Sequence, residues 1–242
     1  MNKIRLDHAL VKEQLVTSRS QAESWIRLGK VTVDGRVVTK PGFFVAEAAN
    51  LKLKAEEQYV SRAGLKLASV AQLLELNFKD KVVLDVGSST GGFTDYALKH
   101  GATKVYAVDI GTDQLHPKLK GDKRIELHEK TDIRDFYPKD KPDIIVIDVS
   151  FISLRDILPH LAKNLSTKGT QIVAMVKPQF EAERRQLGNS GVIKNDTIRR
   201  QILKDFEAWS KQYFIIKDKA DSEVSGARGN KERFYLLAVI ST

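Results

Sequence analysis

Lys177 ends an apolar run, Met175-Val176-Lys177, that has the character of a buried strand. A lysine there is unusual, because burial disfavours its charge unless acids or water compensate. Asp148 follows Ile144-Ile-Val-Ile147 and stands at the equivalent end of the preceding strand. An amine in such a place can act as a general base only when neutral, which partial burial and a second nearby cation promote. The alternative for Lys177 is a side chain that snorkels to the surface. Lys66, in Ser61-Arg62-Ala63-Gly64-Leu65-Lys66-Leu67, shares a helix column with Val70 and Leu73 and borders an apolar face. Glu232 precedes the last strand, in Gly229-Asn230-Lys231-Glu232-Arg233-Phe234. Each of these two is unremarkable alone.

A crevice to serve these residues is written into residues 82–95, Val-Val-Leu-Asp-Val-Gly-Ser-Ser-Thr-Gly-Gly-Phe-Thr-Asp. A buried strand breaks there into a glycine-rich turn and then a helix, and the next strand, Val105 to Asp109, ends on another acid. Gly87-Ser88-Ser89-Thr90-Gly91-Gly92 does not fit G-x-G-x-x-G, and Phe93 stands where a P-loop needs its lysine. Dinucleotide and nucleoside-triphosphate sites are therefore disfavoured. Asp85 beside a small-residue loop suits a cationic, phosphate-free nucleoside, and S-adenosylmethionine is the expected occupant. Backbone amides from Ser88 to Gly92 line the pocket in this reading, while Phe93 and Thr94 pack and cap. Asp109 is placed to accept from two ribose hydroxyls. Asp132, after the next short strand, is placed either to meet an adenine amino group or to form a turn, since Asp is common in both settings.

The elements that must carry these residues form two units. In the first, Leu6, Ala9, Leu10 and Glu13 give a short amphipathic helix, and Ser18 or Ser20 caps a second with a buried face of Ala22, Trp25 and Ile26. Gly29 fits its exit. Residues 31–38 read as a hairpin turning at Asp34-Gly35, and 51–53 as a closing strand. Residues 54–58 read as a polar linker. Beyond it helix and strand alternate: a helix over 61–76, strands near 81–87, 104–110, 143–149 and 170–177, a helix from Leu154 to Leu165, and a long loop at about 181–194. A helix near 195–211 and an antiparallel pair at 213–219 and 233–241 complete the chain. This predicts an α/β fold, a doubly wound Rossmann-like sheet with ligands outside the carboxyl ends of its strands.

The first unit resembles the S4 RNA-binding domain through Arg5-Leu6-Asp7, Leu10, Ser18-Arg-Ser-Gln-Ala22, Ile26, Gly29-Lys-Val-Thr-Val-Asp-Gly35 and Lys40-Pro41. Lys66, Asp148, Lys177 and Glu232, around this crevice, resemble the Lys-Asp-Lys-Glu tetrad of FtsJ-like RNA ribose 2′-O-methyltransferases. Together the two units look like the TlyA family of ribosomal RNA 2′-O-methyltransferases, often labelled hemolysins. The chain departs from that family at Leu187-Gly188-Asn189-Ser190-Gly191, where glycine and lysine are usually richer. The resemblance implies a small α+β S4-type domain over 1–55, a linker over 56–60 and a methyltransferase domain over 61–242. It implies RNA contacts at Arg5, Arg19, Arg27, Lys30 and Arg62, cofactor contacts at Asp85, Gly87, Ser88, Ser89, Gly91, Gly92, Asp109 and Asp132, and a cytidine acceptor. A ribose 2′-hydroxyl is a poor nucleophile at neutral pH, so Lys177 is expected as base. Asp148 and Glu232 would orient the lysines, with Lys66 and Lys177 stabilising the oxyanion.

Composition narrows the alternatives. A net charge of +9 over 242 residues favours a polyanionic partner, here ribosomal RNA or a ribosomal subunit. The absence of cysteine removes disulfides, thiolate zinc sites and the nucleophile that cytosine C5 transfer usually needs. Asp148-Val149-Ser150-Phe151 lacks the Pro-Pro of the usual amino-methylating motif. The five histidines show no ligand spacing, so no metal is expected. With no signal core and no apolar run of membrane length, the expected location is the cytoplasm, away from membranes. The competing functions are a non-catalytic RNA-binding assembly factor and a membrane-active hemolysin.

Overall fold

The computed structural model describes residues 3–16, 18–54, 59–182, 192–193, 195–224, 226 and 229–240. The divergent loop at 187–191 and most of the expected linker lie outside these residues.

The N-terminal unit runs β1 (Lys3–Arg5), α1 (Leu6–Lys12), α2 (Arg19–Arg27), β2 (Val31–Val33), β3 (Arg36–Val37), β4 (Phe44–Ala46) and β5 (Leu51–Leu53). Ser18 is the cap of α2: its Oγ accepts from the Gln21 amide at 3.2 Å. Asp34 and Gly35 both take positive φ, 50° and 80°, as a two-residue hairpin turn requires. β5 pairs with β2 on the side away from β3. The β1–β4 ladder was not foreseen, because three-residue strands carry too little alternation to read.

The second unit runs α3 (Arg62–Ala71), β6 (Val82–Val86), α4 (Gly92–Lys99), β7 (Lys104–Val108), β8 (Ile125–His128), β9 (Ile144–Ile147), α5 (Leu158–His160), β10 (Gln171–Val176), α6 (Pro178–Glu181), α7 (Asp196–Ser210), β11 (Phe214–Asp221) and β12 (Arg233–Val239). Its sheet has the order β11-β12-β10-β9-β6-β7-β8, parallel from β10 to β8, with β12 inserted antiparallel between β10 and β11. Alternate residues sort to two faces. Val83, Val105, Val146, Val173 and Phe234 pack toward α3 and α4. Leu84, Tyr106, Ile145, Ile172 and Tyr235 pack toward α7 and residues 154–165. Both faces are covered, each buried Val or Ile contributing about 2 kcal/mol, so all of β9 is apolar.

The expected helix from Leu154 to Leu165 is broken. It is a 3₁₀ turn at Leu154–Asp156, one α turn, then a π segment at Leu161–Leu165. Pro159 has no amide to donate and its ring crowds the preceding turn, so a continuous helix is unavailable there.

The two units share one apolar cluster through Trp25, Tyr59, Leu65 and Tyr96. Gln21 Nε2 donates to the Tyr59 carbonyl at 2.7 Å, and the Val60 amide donates to Asp95 Oδ2 at 2.8 Å. The chain therefore enters the second unit pinned to both.

Candidate active site

The loop after β6 is held by acids from below and from the side. Asp85 is fully buried and accepts from the Thr94 amide (2.9 Å) and hydroxyl (2.6 Å), tying the strand end to the start of α4. Burial raises its carboxyl to about 7, with Thr94 opposing and Asp148 and Asp109 reinforcing the shift. Asp109 accepts from the Ser89 amide (2.8 Å) and the Gly111 amide (2.6 Å), which folds the loop over the end of β7. Gly87, at φ 80°, lies so near the end of β9 that a Cβ would sit 2.8 Å from the Asp148 carbonyl oxygen. Only glycine fits, and this contact sets the distance between loop and Asp148.

Two lysine–carboxylate pairs are buried in this region; Asp148 and Lys177 line the cavities described below, and Lys66 and Glu232 line neither. Lys177 Nζ lies 2.6 Å from Asp148 Oδ1 and donates to Ser150 Oγ at 2.8 Å. Lys66 Nζ lies 2.6 Å from Glu232 Oε2. All four side chains are 15% exposed or less. Lys66 reaches the site because α3 crosses α4 at a glycine contact: a Cβ on Gly92 would lie 2.8 Å from the Gly64 amide nitrogen. Glu232 reaches it because β12 lies against β10, at whose end Lys177 stands. Arg199, buried on α7, donates to the Lys231 carbonyl at 3.0 Å and holds the segment that presents Glu232.

Two adjoining cavities open here. One of about 380 Å³ is lined by Gly87, Ser89, Asp109, Ile110, Asp132 and Ile133, and also by Asp148 and Phe151. A smaller one of about 150 Å³ is lined by Asp85, Gly87, Ser88, Ser89, Asp148, Ser150 and Lys177. Gly91 and Gly92 line neither; they are buried at the helix start. Ser88 Oγ and Asp85 Oδ1 are buried without a hydrogen-bond partner, so the small cavity offers two unmatched polar atoms. Of the two roles expected for Asp132, the structure shows the turn-forming one. The residue lines the larger cavity and caps the following 3₁₀ turn, and its bonds from Arg134 outweigh desolvation to hold its carboxyl at about 2.

Sequence reasoning missed Ser150, Phe151 and Phe180. Phe151 is 92% exposed, has φ 68°, and faces Phe180 at 5.4 Å between ring centroids. A bulky residue at positive φ is strained, and strain of this kind collects at ligand sites. Position after a strand-end acid was the available signal; its backbone conformation has none in the sequence.

In the N-terminal unit Arg27 and Lys30 are exposed, and Arg62, at the start of α3, is half-buried. Arg5 and Arg19 converge on one buried carboxylate, Asp7. Among the described residues, no group of three or more His, Asp or Glu could hold a metal ion, and no helix is long and apolar enough to cross a membrane.

This sheet order, with acids at the strand ends and a nucleoside-sized crevice beside paired lysines, is accompanied by family matches in both units. The model of FtsJ-like methyltransferases matches residues 59–239 and that of the S4 domain residues 4–49. The chain belongs to the FtsJ-like methyltransferase family and carries an S4 domain in front. It is 35% identical over 240 residues to the 16S/23S rRNA (cytidine-2′-O)-methyltransferase TlyA of Mycobacterium tuberculosis, covering 96% of this chain and 89% of that one. It is 41% identical to the 23S rRNA (cytidine-2′-O)-methyltransferase TlyA of Campylobacter jejuni, covering 74% of this chain and 70% of that one. A solved structure named as a hemolysin, from Streptococcus thermophilus, superposes with a TM-score of 0.73 at 40% identity, covering 100% of this chain and 90% of that one.

Proposed function

We propose that this chain is an S-adenosylmethionine-dependent methyltransferase that acts on the 2′-hydroxyl of a cytidine in ribosomal RNA. The observation that carries the reading is the buried Lys177–Asp148 pair opening on the small cavity, with the nucleoside-sized crevice beside it. The names of the two TlyA relatives support the acceptor.

The crevice fits the cofactor. Asp109 would hold the ribose hydroxyls, Ile110 and Ile133 would supply apolar surface for the adenine, and Asp132 would meet its amino group. Asp85 and Ser88, whose oxygens are unmatched, would hold the amino-acid end together with the amides of Gly87 to Ser89. Gly91 and Gly92 act by packing the helix start, not by contact. Bound there, S-adenosylmethionine supplies a methyl carbon already attached to a good leaving group.

The chain's residues prepare the acceptor. Lys177 takes the hydroxyl proton as the oxygen attacks, held in place by Asp148 and Ser150. Lys66, oriented by Glu232, stabilises the developing negative charge together with Lys177. The N-terminal unit, through residue 55, delivers structured RNA by way of Arg5, Arg19, Arg27 and Lys30, with Arg62 beyond the linker, and residues 61–242 perform the transfer. A ribosomal acceptor places the enzyme in the cytoplasm.

The test is Lys177→Ala, assayed with labelled methyl donor on unmodified ribosomal RNA and by calorimetry with S-adenosylmethionine. Methyl transfer should fall by at least about 10²-fold, with cofactor affinity within about threefold of the parent. Retained turnover would overturn the assignment of the base.

A further inference from the structure

Asp7 has no solvent exposure, yet it lies between two half-exposed arginines. Oδ1 accepts from Arg5 Nε at 3.0 Å and from the His8 amide at 3.1 Å. Oδ2 accepts from Arg5 Nη2 at 2.8 Å and from Arg19 Nε at 2.9 Å. Arg5 thus spends its Nε–Nη2 edge on the carboxylate, and its guanidinium lies over Gly42, where a Cβ would lie 3.4 Å from Nη1 and 3.6 Å from Nη2. Arg19 is bound through Nε, which leaves its two terminal nitrogens uncommitted to Asp7, and the same Nε passes half-buried Glu23 at 3.6 Å. The side chains of Arg5 and Arg19 remain 39% and 53% exposed. A guanidinium has five donors in a rigid fork, so an arginine gripped along one edge still offers another to an oxyanion.

We propose that Asp7 is a positioning residue for RNA, fixing Arg5 and Arg19 as a two-armed clamp whose outer edges take backbone phosphate. The proposal rests on the RNA-binding reading of the N-terminal unit and adds to it the device that orders the two arginines before RNA arrives. Bidentate guanidinium–phosphate pairing depends on the fork's orientation, which two free surface arginines would have to acquire on binding. Charge alone predicts the opposite sign for loss of Asp7. Asp7→Asn takes the net charge from +9 to one unit more positive, and a chain that bound RNA through net charge would bind more tightly.

The experiment measures the Kd of the full chain for deproteinised ribosomal RNA over a range of salt, together with methyl-transfer kcat and KM. Asp7→Asn should weaken binding by roughly three- to tenfold and reduce the salt slope by about one, with KM raised and kcat unchanged. Arg19→Lys keeps both the charge and the buried acid, and should weaken binding to a similar degree because the fork is lost. It also decides the matter if Asp7→Asn does not fold. Arg27→Glu combined with Lys30→Glu probes RNA binding by the unit without touching the cluster. Loss of affinity in that variant, with full affinity in Asp7→Asn and Arg19→Lys, overturns the clamp alone. Undiminished affinity in all three overturns the RNA-binding reading with it.

Discussion

Asp7 and Asp85 are both fully buried, and their carboxyls are driven in opposite directions. Burial pushes each upward. At Asp7 the hydrogen bonds and charges of Arg5 and Arg19 overcome it and hold the group at about 2. At Asp85 the help comes from Thr94 alone, Asp148 and Asp109 add repulsion, and the group stands at about 7. The N-terminal unit therefore keeps a permanent anion whose work is to organise cations, while the crevice keeps an acid whose ionisation a cationic ligand would favour. Under the proposed functions the same side chain would serve a polyanion at one end of the molecule and a cation at the other, and its neighbours decide which.

Salt should separate the two regions most widely. If the N-terminal unit engages about four phosphates, RNA affinity should fall by roughly 10²-fold between about 50 and 200 mM salt. Affinity for S-adenosylmethionine should change by less than about threefold, since the crevice makes no phosphate contacts. Equal salt dependence of the two would erase the contrast.

Stability comes next. Asp7→Ala removes the acceptor of four hydrogen bonds, three of them from arginines, and should cost about 2 kcal/mol in urea unfolding. The wild-type contribution of Asp7 is present above about pH 4 and is lost as pH falls through about 2, because a depressed carboxyl must be protonated there. Asp85 has the reverse sign. Its folded-state carboxyl is raised, so its favourable contribution is present below about pH 4 and is lost as pH rises through about 7. Asp85→Asn, which keeps an acceptor for Thr94, should therefore be more stable than the parent by about 1 kcal/mol near pH 8 and not near pH 4. Melting curves of the two variants across pH check both statements. Parallel curves would mean that the two acids do not differ in the way described.

The smallest effect concerns strain. Phe151→Gly removes a side chain at φ 68° and should leave stability unchanged or raise it by up to about 1 kcal/mol, as relief of strain offsets the entropy of glycine. Methyl transfer should nevertheless fall, because the exposed ring at the crevice mouth is lost. Loss of stability on this change would argue that the ring packs rather than recognises.

The strand-end acids and Lys177 were legible in the sequence because continuous apolar runs locate buried parallel strands, and a charged residue ending one stands out. The Lys66–Glu232 pair was not legible from local pattern. It joins residues 166 positions apart, through an antiparallel strand inserted beside β10, and only resemblance to a family brought it into view. Asp7 was seen as one residue of a matching motif, and its grip on Arg5 and Arg19 was invisible because nothing local marks an acid in the first turn of a helix as sealed. The break before Pro159 has a signal in the sequence, the proline itself, which stands inside an apolar pattern that by itself argues for a continuous helix.

The most direct test of the central claim is to incubate the purified chain with S-adenosylmethionine and ribosomal subunits from cells that lack it, digest the RNA to nucleosides, and separate and fragment the products so that a methyl on the sugar is told from one on the base. The account predicts a new 2′-O-methylcytidine that disappears with Lys177→Ala. A methyl group on a base or on protein, or none at all with parent enzyme that binds both cofactor and RNA, would contradict it.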